Sequence, residues 1–265
     1  MTTPYSTTTL PAPARFLLLG DSHAGCVGRA ARQAQLPFVG GPVGSGRDFL
    51  GPFLGADDGD GGDSDGGDGD GGDSDGGDGD ADDGDGGDGD GDLVFRDAAV
   101  GRLVREFLEQ LGVSGFAGLG VPLVCTFGLS AHTVATRQNW DVHRDRHGTV
   151  PERFLRSRLF ADLVRASVRG ALAFYGRTTA LGLRVLALMP PQRVPGMSDP
   201  AVFFAAQDVI GNELGARGVE LIDLRARVTD GTGHQRPVFC QPDDTIHGNL
   251  AFGRLVVAQL LDAGL

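Results

Sequence analysis

Two kinds of apolar pattern take turns along the chain. Short unbroken runs occur at 15–20 (RFLLLG), 36–41 (LPFVGG), 121–128 (VPLVCTFG), 183–191 (LRVLALMPP) and 219–228 (VELIDLRARV). Each has the length and continuity of a strand buried on both faces of a parallel sheet. Between them, 24–35, 98–112, 151–175, 202–218 and 250–264 carry apolar residues at helical spacing, and Gly112 and Gly218 stand where a helix would stop. Residues 129–150 are polar and predict a long loop. Strands alternating with helices predict an α/β fold of three layers, α/β/α, around a central, mostly parallel five-stranded sheet. In such a sheet the working site lies at the carboxyl ends of the strands.

One segment breaks the pattern. Residues 57–92 repeat Gly-Gly-Asp-Ser/Gly-Asp with a five-residue period, and Ala81 is their only apolar residue. Such a stretch cannot bury enough surface to offset its ordering entropy, so it reads as a disordered, self-repelling insertion. A calcium-binding β-roll needs a nine-residue period and an apolar position in each unit, and the tract has neither. Weak, nonspecific attraction of cations is still expected. The Thr- and Pro-rich residues 1–14 read as a flexible arm, leaving 15–265 as one domain interrupted by the insertion.

The tract also distorts the charge. It holds 17 of the 35 acidic residues, leaving 18 against 23 basic ones, all of them arginine. With no basic stripe and no interleaved aromatics, nucleic acid is not an expected partner. Cys26, Cys125 and Cys240 are far apart and odd in number, which argues against a disulfide framework or a zinc site and fits a reducing compartment. The early apolar run at 16–19 is too short to span a bilayer, and no secretory signal is evident, so the expected location is the cytoplasm, without membrane contact.

Candidate chemistry sits at two ends of the domain. Gly20-Asp21-Ser22-His23 lies where the first strand runs into the first helix, a place that exposes a serine hydroxyl beside free helical amides. Asp21 or Ser22 can equally be a plain helix cap there. Asp244-Thr245-Ile246-His247 precedes the last helix, and a carboxylate three residues before a histidine can fix the ring tautomer and leave its other nitrogen to accept a serine proton.

The opening FLLLGDSHA and the closing DDTIHGN together resemble the first and last blocks of the SGNH-hydrolase superfamily, over roughly 15–261 with the acidic tract inserted. That resemblance implies an SGNH-hydrolase/flavodoxin-like fold and a serine hydrolase that needs no cofactor or metal. Ser22 would be the nucleophile and an oxyanion donor through its amide, with Asp244 and His247 completing the triad. Gly46, with Gly44 next, would match the glycine donor of the second block. The third block departs from the family, because Gly128-Leu129-Ser130-Ala131-His132 stands where Gly-x-Asn-Asp is usual. Ser130, or His132, would have to replace the asparagine donor.

Asp21 and His23 beside the serine, His132, and Trp140 in the polar loop are the candidate substrate contacts, although a single Trp is also well explained by packing. His143 and His147 are spaced as zinc ligands on a helix, but no third ligand is evident. Gly41 and Gly46 imitate a phosphate loop but lack its lysine and hydroxyl. The expected substrate is a small carboxylic ester. GDSH, rather than the commoner GDSL, also occurs in SGNH domains associated with polysaccharide O-acetylation, which adds O-acetyl carbohydrates to that class. An O-acyltransferase using the same site, and a catalytically idle domain binding a glycan or protein, are the competing readings.

Overall fold

The structure, a computed structural model, describes residues 13–55 and 93–265. The insertion expected over 57–92, and the arm expected over 1–14 apart from its last two residues, lie outside the described residues. Five strands form one sheet: β1 (Leu17–Gly20), β2 (Val39–Pro42), β3 (Leu123–Cys125), β4 (Val185–Leu188) and β5 (Glu220–Ile222). Their order is β2-β1-β3-β4-β5 and every pairing is parallel. The chain steps outward from β1 to β2 and then crosses back to β3. The reversal opens a crevice at the carboxyl ends of β1 and β3, the place where open α/β sheets bind ligands.

Alternation along the strands divides the core in two. Leu17, Leu19, Leu123, Cys125, Val185 and Ala187 face one side; Phe16, Leu18, Val124, Leu186 and Leu188 face the other. The first side is covered by α2 (Ala98–Gln110), α4 (Arg158–Ser167), α5 (Arg169–Ala180) and α6 (Pro200–Ala216), through residues such as Val104, Phe160, Phe174 and Ile210. The second is covered by α1 (Ala24–Gln33) and α8 (Leu250–Asp262), through Val27, Ala30, Phe252 and Val256. The helices α1 and α8 cross closely because Gly253 carries no side chain: a Cβ there would lie 2.3 Å from the Cys26 carbonyl oxygen.

Three expectations are corrected. The helical stretch predicted over 151–175 is three helices, α3 (Glu152–Leu155), α4 and α5. Ser157 starts α4 by accepting the Phe160 amide (3.1 Å), and the Gly170 amide is drawn away to the Leu50 carbonyl (3.0 Å), which breaks α4 from α5. The strand predicted over 219–228 ends at Ile222. Asp223 accepts the Arg225 amide (2.8 Å) and turns the chain into the single turn α7 (Arg225–Val228). The predicted loop 129–150 contains a 3-10 segment, Arg137–His143.

The chain leaves for the acidic tract and returns from it at one point. Leu54 and Phe95 form an antiparallel bridge, with the Gly55 amide donating to Val94 (2.7 Å) and the Arg96 amide to Phe53 (2.9 Å). Among the described residues, no helix is long and apolar enough to cross a membrane.

Candidate active site

The site begins at the end of β1. A Cβ on Gly20 would fall 2.2 Å from Thr126 Oγ1, so only glycine lets β1 and the end of β3 close on each other here. The Thr126 hydroxyl accepts the Asp21 amide (3.0 Å) and donates to Asp21 Oδ1 (2.8 Å), which also receives the His23 amide (3.0 Å). Asp21 is fully buried; its Oδ1 holds the turn, while its Oδ2 has no hydrogen-bond partner among the described residues. Its burial takes it away from the expected place as a substrate contact, and it does not cap α1 either, whose N-cap is His23 with no side-chain capping hydrogen bond. Ser22, one residue on, is exposed.

Facing it is the loop before α8. Ser22 Oγ lies 2.7 Å from His247 Nε2, and His247 Nδ1 lies 2.7 Å from Asp244 Oδ2. Asp244 Oδ1 accepts the amides of Ile246 and His247, both at 2.7 Å. Burial works to raise the Asp244 carboxyl, but those two amides and the His247 ring outweigh it and hold it well below the usual carboxylate range. An ionised Asp244 keeps the His247 proton on Nδ1 and leaves Nε2 to accept from Ser22.

The loop is pinned from behind. Arg193 Nη1 donates to the carbonyls of Gln241 (2.9 Å) and His247 (3.1 Å), and the Gln241 amide donates to the His247 carbonyl (3.0 Å). Asn249 caps α8 through Ala251 and Phe252 while its Nδ2 holds the carbonyls of Val238 and Cys240.

Gly46 opens a 3-10 turn after β2, and that turn is docked on Asp21 and Ser130: a Cβ on Gly46 would lie 3.2 Å from Asp21 Oδ2 and 3.9 Å from Ser130 Cβ. Among the described residues, neither the Ser22 amide nor the Gly46 amide has a hydrogen-bond partner. Gly44, the next candidate, is needed for packing, since a Cβ there would meet the Phe49 ring at 2.9 Å.

Beneath the serine a second polar chain runs through Ser130. Its hydroxyl bridges His23 Nε2 (2.9 Å) and His132 Nδ1 (2.8 Å), and the His23 ring lies 5.0 Å from that of His247. Burial lowers the pKa of both His23 and His132, so both rings are neutral near pH 7. His23 Nδ1 is buried without a partner among the described residues. A stranded acceptor is better tolerated than a stranded N–H. The proton of His23 is therefore assigned to Nε2, donating to Ser130, whose own proton points to His132 Nδ1. His132 is left with its proton on Nε2. The Ser130 hydroxyl is thus already committed, which counts against its expected role as an oxyanion donor. His23 is buried, yet it lines the cleft beside Ser22.

That cleft encloses about 300 Å³ and is lined by Ser22, His23, Cys26, Arg29, Gln241, Asp244, His247 and Gly248. Trp140 is not in its wall, a correction to its expected place: the ring is buried against Phe154 and Phe160, and its N–H donates to the Val134 carbonyl (2.7 Å). His143 stacks on Phe154 while His147 pairs with Arg146, so the two do not converge. Among the described residues, no group of three or more His, Cys, Asp or Glu side chains is placed to hold a metal ion. The Cys26 thiol is pushed up to about 11 by burial, so it stays protonated and unreactive.

Thr126, Arg193, Arg29 and Gln241 were not foreseen from the sequence. Arg29 left a signal, since 26 and 29 share one helical face just after the turn that carries Ser22. Thr126 and Arg193 left none, because each acts through a contact between distant segments.

No protein-family model matches the chain, and no curated protein matches it. A solved structure described as "a putative SGNH hydrolase from Slackia heliotrinireducens" aligns with it at a TM-score of 0.44 and 12% identity, over 95% of this chain and 98% of that one. A likeness this distant decides no residue's role here.

Proposed function

We propose that the protein is an SGNH-type serine esterase acting on a small carboxylic ester. The observation that carries this reading is the unbroken array from Ser22 Oγ through His247 to Asp244, each link 2.7 Å long, opening on a cleft. Ser22 Oγ attacks the acyl carbon as its proton passes to His247 Nε2, and Asp244 stabilises the imidazolium. The carbonyl oxygen gains the charge, and the unpaired amides of Ser22 and Gly46 receive it. Of the two third-block candidates, His132 is the one with an N–H left to offer, because Ser130 has turned its proton inward.

His247 then protonates the departing alkoxide, leaving Ser22 acylated. Water, deprotonated by the same nitrogen, attacks the acyl carbon and releases the acid and free Ser22. A sugar hydroxyl in place of that water makes the same site an O-acyltransferase. The commitment of Ser130 to His23 and His132 is what favours the idle binding domain as the second reading.

The test is labelling by a fluorophosphonate probe, wild type beside Ser22→Ala, with 4-nitrophenyl acetate turnover on the same samples. Labelling and turnover that both vanish in the variant support the esterase. A folded wild type that neither labels nor turns over favours the binding domain.

A further inference from the structure

The cleft beside Ser22 has one strong charge with nothing to balance it. Arg29, two turns along α1, lines the same cleft as Ser22 and His247 and is exposed. Its Nη1 lies 3.6 Å from the position a Cβ on Gly25 would take, so the guanidinium folds back along α1 toward the turn that holds Ser22. Among the described residues no carboxylate comes within 4.0 Å of it.

Two other arginines are already engaged. Arg32 lies over the Phe38 ring (5.2 Å), and Arg193 is tied to two carbonyls of the His247 loop. The carboxylate in the cleft, Asp244, has both oxygens occupied by the His247 ring and two amides. Across from α1, Gln241 also lines the cleft; its hydrogen bonds run through its backbone, leaving its side-chain amide unpaired among the described residues.

We infer that Arg29 selects anionic esters: the substrate carries a carboxylate or equivalent oxyanion close to its scissile bond, and that group lies on the Arg29 guanidinium with Gln241 opposite. The planar fork of arginine matches two oxygens of one such group. Ser22 and Arg29 line the same cleft, of about 300 Å³, so a ligand filling it meets both. The inference rests on the esterase reading and adds a substrate class to it.

Two pairs of 4-substituted phenyl esters test it. In the first, the acyl chain ends in a carboxylate (4-nitrophenyl glutarate monoester) or in the matching carboxamide. In the second, the charge is on the alcohol side, 4-acetoxybenzoate against 4-acetoxybenzamide. Wild type should favour the anionic member of one pair by about three- to tenfold in kcat/KM, as expected for a partly exposed arginine contact.

The pair that responds tells which side of the ester carries the charge. That ratio should fall to near one in Arg29→Gln, survive in part in Arg29→Lys, shrink as salt is added, and stay as in wild type in Arg32→Gln. Because it is taken within one preparation, partial misfolding cancels. Turnover of all four esters without preference, or a preference that outlasts Arg29→Gln, overturns the inference and leaves the esterase standing. A folded protein that turns over none of the four overturns the esterase reading, and this inference with it.

Discussion

Asp21 and Ser22 are neighbours with separate tasks: the first is sealed under the strand end by Thr126, and the second is turned outward to His247. The motif could not say what Asp21 would hold, because the answer depends on a threonine 105 residues away. Asp244→Asn should cost on the order of a thousand- to ten-thousandfold in turnover, since the ring loses both its tautomer and its counter-charge; comparison of kcat on 4-nitrophenyl acetate would check it. Ser130→Ala should strand a buried N–H on His23 and lower stability by about 1–3 kcal/mol, read from urea midpoints.

Acid should act through the same pair of rings. Burial lowers the pKa of His23 and His132 below the 6.5 of an unperturbed histidine, so below that pH the unfolded chain binds protons the folded one refuses. Stability should therefore decline as pH falls from 7.5 to 5.5, and less steeply in His23→Gln. Equal urea midpoints at the two pH values would sink that account. Asp244 acts in a lower window: its depressed pKa adds stability above about 4 that is lost only in stronger acid.

Among the elements, strands were readable where both faces are buried and misread where a side chain intervened. LLLG and VLAL occupy interior strands and announced themselves by continuous apolar runs. At 219–228 the apolar run continued, but Asp223 supplied a turn that hydrophobicity alone does not register. The break between α4 and α5 depends on the Leu50 carbonyl arriving from a distant loop, which no local pattern reports. Asn249 is the element-scale device that matters most to the site, because it both starts α8 and fastens the strand of loop before it. Asn249→Ala should cost about 1–2 kcal/mol in thermal or urea unfolding, and should also reduce kcat by loosening His247. A loss of stability with kcat untouched would show the cap to be separate from the site.

For the molecule as a whole, the sequence already held the layer arrangement and the two ends of the site. It could not hold the crevice between β1 and β3, which exists only once the chain has doubled back across the sheet. The bridge between Leu54 and Phe95 sets the two ends of the acidic tract side by side, and we propose that the tract is separable from the domain. Replacing 57–92 by a short Gly-Ser linker should leave the melting temperature and esterase turnover near those of wild type, and a collapsed protein would show the domain boundaries to be wrong. The bond between Ser22 and His247 joins residues 225 positions apart. On the esterase reading, a chain whose synthesis stops before His247 would carry Ser22 without the base proposed to arm it. Such a polypeptide should stay silent toward esters while its sheet assembles, so fluorophosphonate labelling at Ser22 should double as a readout that synthesis and folding have both passed His247.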